Sequence, residues 1–495
     1  MSDVAPNAHL EELSPAPLWR HFRMLCNTPR PSGQEEAVMQ NIIAWANGKG
    51  FETSRDQVGN LLVRKPATQG YENVPVVTLQ SHVDMVTQAD GDYDFTKEPI
   101  HTEVREGWLW AKGTTLGADN GIGAAGALAI LEDDKLTHGP LEALFTVSEE
   151  TSMGGASELA PDWLKGRYML NMDSEDRGEA YIGCAGGVHV RINETFSTEQ
   201  APEGWSFIEI AVNGLQGGHS GVDISKQLGS ANRILPRALL ATSKAIGNDA
   251  LRLVSYQGGQ MSNAITRAAN AIIAVPADKE SIVAKTISEV ADKVKTELAV
   301  MEPDVNLTQT QSASSATLSL VDSLRVIRLL AALPYGVERY SDELPGVVET
   351  SDNIGVVSLQ DGQLKSDVMV RSLRDSAALD LSTRIEALAR LGGFEPKSTS
   401  FYPGWVPIPA SPLLSRFEVI HKEIEGHAPE VKVIHAGLEC GIIGAKYPDL
   451  EMISFGPTIK GAHSPSERVD LAAVEAFWKL LHATVESLAK SPLPA

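Results

Sequence analysis

The chain has 495 residues, 64 of them acidic and 42 basic, for a net charge of −22, a balance that argues against nucleic acid or an anionic membrane surface as a partner and favours attraction of cations. Hydrophobic residues make up 43% of it, enough for sizeable cores, and at roughly 150 residues per domain the length calls for more than one. Only Cys26, Cys184 and Cys440 are present, too far apart for a disulfide framework or a thiolate zinc site, so a reducing cytoplasm is the expected home; no basic stretch followed by an apolar run opens the chain and no apolar segment reaches ~18 residues, so neither a signal peptide nor a membrane span is expected.

Taken in order, Pro17–Cys26 reads as a short helix carrying Leu18, Phe22 and Leu25. Ser32 and Glu35 have capping-box spacing ahead of Val38, Ile42, Ile43 and Trp45, with Gly48 and Gly50 closing a second helix. Two strands turned at Gly59-Asn60 follow. The next stretch, VPVVTLQSHVD, is a buried strand ending in His82 and Asp84, two apart and so on one face, where the aspartate can orient the imidazole. In GTTLGADNGIGAAGALAILED, Asp119 stands at the start of a helix of small and aliphatic residues that can lie close to a sheet.

The strand LEALFTVSEE ends in Glu149 and Glu150 before a Thr-Ser-Met-Gly-Gly loop, and the apolar strand YMLNMD ends in Asp173. Three successive strand–helix units thus terminate in His/Asp, Glu/Glu and Asp, which predicts an α/β domain with a mostly parallel central sheet flanked by helices, its ligands held beyond the carboxyl ends of the strands. Glycine- and proline-rich breaks at Gly183–Gly187 and Phe401–Trp405 divide the chain into residues 1–187, an inserted α+β domain over 188–401, and residues 402–495, which resume the first domain. The insert looks internally doubled, with Ser351-Asp-Asn353 echoing Ser262-Asn263 ahead of a strand in each half. In the last segment, Pro412–Gly426 is helical, Glu451–Phe455 is a strand, His463 sits in a loop, and Asp470 caps a final amphipathic helix.

His82, Asp84, Asp119, Glu149, Glu150, Asp173 and His463 together offer nitrogen and carboxylate oxygen without thiolate. That donor chemistry suits a hydrolytic zinc, manganese or cobalt centre rather than a structural zinc finger. Spacing alone does not bring together residues nearly 400 positions apart.

The motifs do carry a resemblance. SHVDMV, TTLGADNGIG, TVSEETSMGGA, LNMDSE, GGHSG, HAGLECG and GAHSPSE, in that order from the first hundred residues to the last, resemble the dinuclear-zinc metallopeptidase family of aminoacylases and bacterial dipeptidases. Length and the enlarged insert point to its branch acting on aminoacyl-histidine dipeptides such as β-alanyl-histidine. The resemblance implies two Zn2+ per chain, with Co2+ or Mn2+ able to substitute. His82 and Asp173 would hold one ion, Glu150 and His463 the other, and Asp119 both. It assigns Asp84 to the His82 ring and Glu149 to the general base; which glutamate is ligand and which is base comes from the resemblance, not from spacing. It also implies a cis peptide after Asp119. His219, which among its glycines would otherwise read as an ordinary loop residue, would stabilise the oxyanion across a homodimer interface formed by the insert. Arg371, Asn263 and the backbone at Gly437 would receive the carboxylate of a short peptide substrate. A broader dipeptidase or tripeptidase, or an N-acyl-amino-acid amidohydrolase, would use the same centre, whereas retention of Glu149 with every ligand argues against a non-catalytic relative.

Overall fold

The computed structural model describes residues 6–314 and 316–493, and the chain divides into two compact units. The first comprises the described residues up to Gly183, Trp405–Val433 and those from Leu438 onward; the second comprises Cys184–Gly404 and Ile434–Gly437.

The first unit is built on an eight-stranded sheet in the order Glu52–Arg55, Leu61–Lys65, Leu141–Thr146, Val77–His82, Tyr168–Asn171, Glu451–Ser454, Glu179–Cys184, Glu430–Ile434. Its middle is parallel: Val77–His82 runs alongside both Leu141–Thr146 and Tyr168–Asn171, which in turn pairs with Glu451–Ser454. Leu61–Lys65 and Tyr181 join antiparallel on the two flanks, so the whole sheet is mixed. The four central strands are largely buried because both faces are covered. All six residues of Val77–His82 and of Leu141–Thr146 are buried.

Helix Ala118–Glu132 lies across this layer. Its small residues leave it buried from Asn120 to Leu131, and a Cβ on Gly126 would come within 3.0 Å of Phe477 of the terminal helix Leu471–Lys490. That last helix starts as the sequence suggests, with the Asp470 side chain accepting from the Ala473 N–H at 2.8 Å.

The second helix starts differently. Helix Glu36–Gly48 has no side-chain cap, because the apparent capping pair is engaged elsewhere. Ser32 Oγ donates to Asp84 Oδ2 at 2.7 Å, and Glu35 Oε1 accepts from the Ser148 N–H at 2.9 Å. Both residues support the strand ends that carry Asp84 and Glu149.

The second unit contains a nine-stranded sheet whose path runs Asn306–Ser312, Trp205–Asn213, Ala269–Pro276, Arg252–Gly258, Val348–Gln360, Gln363–Ser372, Gly186–Thr195, Pro396–Tyr402, with Gly336–Tyr340 paired to Val348–Gln360. Helices Ala231–Ile246, Glu280–Glu297, Leu320–Ala332 and Asp375–Leu391 contribute apolar side chains to one core with it. The segment Ser351–Asn353 lies inside the strand Val348–Gln360 rather than ahead of it; its polar side chains disguised a continuous ladder against Gln363–Ser372. Among the described residues, no helix is long and apolar enough to cross a membrane.

Candidate active site

The carboxyl ends of the three parallel strands, the start of helix Ala118–Glu132 and the loop at His463 converge in the first unit. His82 closes its strand fully buried, with Nε2 3.1 Å from Asp119 Oδ1 and 3.5 Å from Asp173 Oδ1. Its Nδ1 faces Asp84 Oδ1 at 3.3 Å, which places the ring proton on Nδ1 and leaves Nε2 as a ligand atom. On the other side, His463 Nε2 lies 3.1 Å from Asp119 Oδ2 and 3.1 Å from Glu150 Oε2. Asp119 therefore offers one oxygen to each histidine. The Asp119–Asn120 peptide is cis, and Asn120 Nδ2 donates to Asp173 Oδ1 at 2.6 Å.

Asp84 does more than face an imidazole. Its two oxygens accept from the backbone N–H groups of Glu149 and Glu150 at 3.1 and 3.2 Å. One buried carboxylate thus orients a histidine and both glutamates. Burial raises its pKa, but the bonds from His82, Ser32 and the Glu149 N–H outweigh that and hold it below its ordinary value.

The electrostatics of the pocket are those of a cation site. Hydrogen bonds that the ring donates to the Asp119 and Glu150 carboxylates push His463 up to about 11. Burial works against protonation of His82, yet Asp173, Asp119 and Asp84 around it raise it well above the ordinary imidazole value. Asp173 rises to about 6 and Glu149 well above the usual carboxylate range, burial being the first cause for each. Crowded acids that stabilise positive charge on two rings would do the same for metal ions.

The donor set fits that use. Ligand atoms of His82, Asp119 and Asp173, and those of Asp119, Glu150 and His463, lie within 4.8 Å of one another. Glu150 Oε1 is buried with no hydrogen-bond partner among the described residues, and the cost of such an atom is relieved by a ligand. His82 with Glu149 and Glu150 meets the same distance limit, so proximity alone does not separate the two glutamates. Their partners do: Glu150 pairs with His463 at 3.1 Å, whereas the nearest approach of Glu149 to His82 is 4.0 Å.

Two further buried charged residues complete the surroundings, one of them, Glu439, within the HAGLECG motif. Glu439 is fully buried, its Oε2 accepting from Gln80 Nε2 and Thr146 Oγ1 at 2.7 Å each. Arg30, also buried, donates to the carbonyls of Val83 and Gly117 at 2.9 and 2.6 Å. Arg30, in a loop with no motif around it, is recognisable only from its neighbours.

In the second unit, Ser220 draws three of the remaining candidates together. Its N–H donates to the Asn263 carbonyl at 2.8 Å and its Oγ accepts from Arg371 Nε at 3.4 Å, while its neighbour His219 pairs with Ala264 across a short ladder. Gly221 packs so closely that a Cβ there would fall 1.8 Å from the His435 carbonyl oxygen, which brings Ile434–Gly437, and with it Gly437, beside the same loop. Arg371 is only 4% exposed; its Nη1 donates to Tyr402 Oη at 3.1 Å, and no carboxylate among the described residues forms an ion pair with it. His219 Nδ1 accepts from the N–H groups of Gly221 and Val222 at 3.2 and 3.1 Å, so the proton of the neutral ring sits on Nε2. Burial, followed by the Arg371 charge, lowers His219 to about 4.

Histidine and carboxylate donors gathered beyond a parallel sheet, with a spare glutamate beside them, define a metal-dependent hydrolase. The sequence over residues 78–487 matches peptidase family M20/M25/M40, and the chain belongs to that family. It is 43% identical to the cytosol non-specific dipeptidase of Escherichia coli (strain K12) over 477 residues, 96% of this chain and 98% of that one. The crystal structure of aminoacylhistidine dipeptidase from Vibrio alginolyticus is similar at 41% identity and a TM-score of 0.89, with 98% of this chain and 99% of that one covered. Aminopeptidase PepT from Bacillus cereus ATCC 10987 shares the fold at 15% identity and a TM-score of 0.55, over 96% of this chain and 98% of that one.

Proposed function

We propose that this metallopeptidase is a cytoplasmic dipeptidase that releases histidine from Xaa-His dipeptides such as β-alanyl-histidine, working with two Zn2+ per chain. The observation that carries the metal assignment is Asp119, whose two oxygens stand 3.1 Å from two different histidines. The activity on dipeptides follows the Escherichia coli relative, and the histidine preference follows the Vibrio alginolyticus one.

His82 and Asp173 would hold one ion, Glu150 and His463 the other, and Asp119 both. When bound, the pair supplies Lewis acidity for the peptide carbonyl and lowers the pKa of water at the centre. Glu149 is the general base: a carboxylate oxygen takes the proton of the attacking water and delivers it to the amine nitrogen that departs. Asp84 fixes the backbone at both Glu149 and Glu150. In the second unit, the neutral His219 ring has an Nε2–H to donate to the carbonyl oxygen as it gains charge, and we assign it to a centre in a homodimer formed through this unit. Arg371, with no internal carboxylate, is the receptor for the substrate carboxylate, assisted by Asn263 and the Gly437 backbone.

The test is release of free histidine from β-alanyl-histidine by the purified chain, before and after chelation and zinc re-addition. Chelator-sensitive, zinc-restored release is expected. Release of amino acids from dipeptides lacking histidine at equal rates would replace the Xaa-His preference with the broader specificity carried in the Escherichia coli relative's name; cleavage of N-acyl amino acids instead would make it an amidohydrolase.

A further inference from the structure

Glu467 has no part in the chemistry above, yet it is 2% exposed and reaches the segment that carries Asp119. Its Oε2 accepts from the N–H groups of Leu116 and Gly117 at 2.7 and 3.0 Å, and its Oε1 from those of Ala118 and Asp119 at 2.8 and 3.3 Å. Four consecutive peptide groups can face one carboxylate because Gly117 adopts φ 66°, ψ 32°, the left-handed turn that makes a concave array of donors. Only glycine fits, since a Cβ there would lie 2.4 Å from Arg30 Nη2 and 2.9 Å from Met85 Sδ.

The array is gripped from its other side as well. Arg30 Nη2 donates to the Gly117 carbonyl at 2.6 Å, and Arg30 Nη1 to the carbonyls of Val83 and Asp84 at 2.9 and 3.2 Å. The strand end bearing His82 is therefore tied to the turn preceding Asp119. Glu467 belongs to the loop of His463, and that loop is internally stiff: Ser464 Oγ donates to the Gly461 carbonyl at 2.7 Å and the Glu467 N–H to the Ser464 carbonyl at 3.0 Å. A shift of Glu467 is thus passed to His463, and a shift of residues 116–119 to Asp119.

We propose that Glu467 is a positioning residue of the metal centre, setting the distance between Asp119 and His463 by fastening the His463 loop to residues 116–119. This rests on the metal-centre reading above. The contact joins segments 348 to 351 positions apart, and the two ligands on either side of it share one ion with Glu150. Glu467→Gln places an amide N–H2 against donors that need an acceptor, so one of the two pairs of bonds is lost. The ion that Asp119, Glu150 and His463 would hold should then weaken by about 10–100-fold, the range for residues that orient metal ligands, because two of its three ligands lie on either side of the contact, while the ion at His82 and Asp173, which would share only Asp119 with it, should weaken less.

The experiment titrates metal-stripped wild-type, Glu467→Gln and Asp470→Ala proteins with Zn2+ against a competing chelator, and records the unfolding temperature of each metal-stripped protein. Asp470→Ala removes a helix cap three residues away without touching residues 116–119, and serves as the control for general destabilisation. Selective loss of one of two sites in Glu467→Gln, with both retained in Asp470→Ala, supports the proposal. Two wild-type-like sites in Glu467→Gln overturn it, as does an equal loss in Asp470→Ala. If Glu467→Gln does not fold, Glu467→Asp, which keeps the charge but withdraws it by one methylene, is read by the same two criteria. A wild-type chain with fewer than two sites would instead overturn the metal-centre reading itself.

Discussion

His463 and His219 are the same side chain in opposite fields. In the first unit, hydrogen bonds donated to Asp119 and Glu150 push His463 up to about 11; in the second, burial and the Arg371 charge lower His219 to about 4. The first ring sits where a positive charge is stabilised and is suited to a cation. The second is kept neutral with its proton on Nε2, suited to donating to an oxyanion. Residue type allows both roles, and the surrounding charges select between them.

Removing the proposed base breaks the first half of this comparison most severely. Glu149→Ala should lower kcat by about 10²–10⁴-fold, the usual contribution of a positioned acid or base, with metal stoichiometry unchanged; metal analysis alongside steady-state kinetics checks both, and retained turnover would remove Glu149 from the mechanism. The second half is tested by His219→Ala. Loss of an oxyanion donor should cost about 10²–10³-fold in kcat with the metals retained, whereas His463→Ala should lose an ion. Loss of metal from both variants would erase the distinction between the two histidines.

The pH dependence of stability sharpens the comparison further, with a smaller effect. A His219 folded pKa of about 4 lies below the value of ~6.5 for an unfolded chain. Between those values the unfolded state binds the extra proton, so this residue lowers stability as pH falls from 6.5 towards 4. Asp352, buried in the same unit with Oδ2 unpartnered among the described residues, has the opposite slope: burial pushes it up to about 8. Folding is then weakened as pH rises through the interval from ~3.9 to about 8, because the unfolded chain ionises first. Asp352→Asn should stabilise the protein at neutral pH by roughly a few kcal/mol, at ~1.4 kcal/mol per unit of pKa difference, a gain that fades towards pH 4; denaturant unfolding at the two pH values measures it, and a pH-independent gain would exclude ionisation as its cause.

Much of this was legible before any coordinates. The strands leading to His82, Glu149–Glu150 and Asp173 announce themselves because an apolar run that heads into an acid has few uses in a buried sheet, although the middle one closes at Thr146 and Glu149 opens a short helix, Glu149–Ser152. The small-residue helix after Asp119 and the Asp470 cap are likewise local signals. Which of the adjacent glutamates lies nearer His463 is not a local property: His463, over 300 positions away, pairs with Glu150. The Ser32–Glu35 spacing imitates a helix cap for the same reason, since nothing nearby reveals that Asp84 and Ser148 compete for those side chains.

What the sequence by itself determined, then, is which segments are strand and helix over most of the chain and which donor atoms are available at their ends, because periodicity and termination are short-range properties of the backbone. Tertiary structure alone decided how the donors are shared. The division of the two Asp119 oxygens between two rings, the hold of Asp84 on both glutamates, and the grip of Glu467 on residues 116–119 all arise from satisfying buried polar groups across long stretches of chain. That condition exists only once the chain has closed on itself.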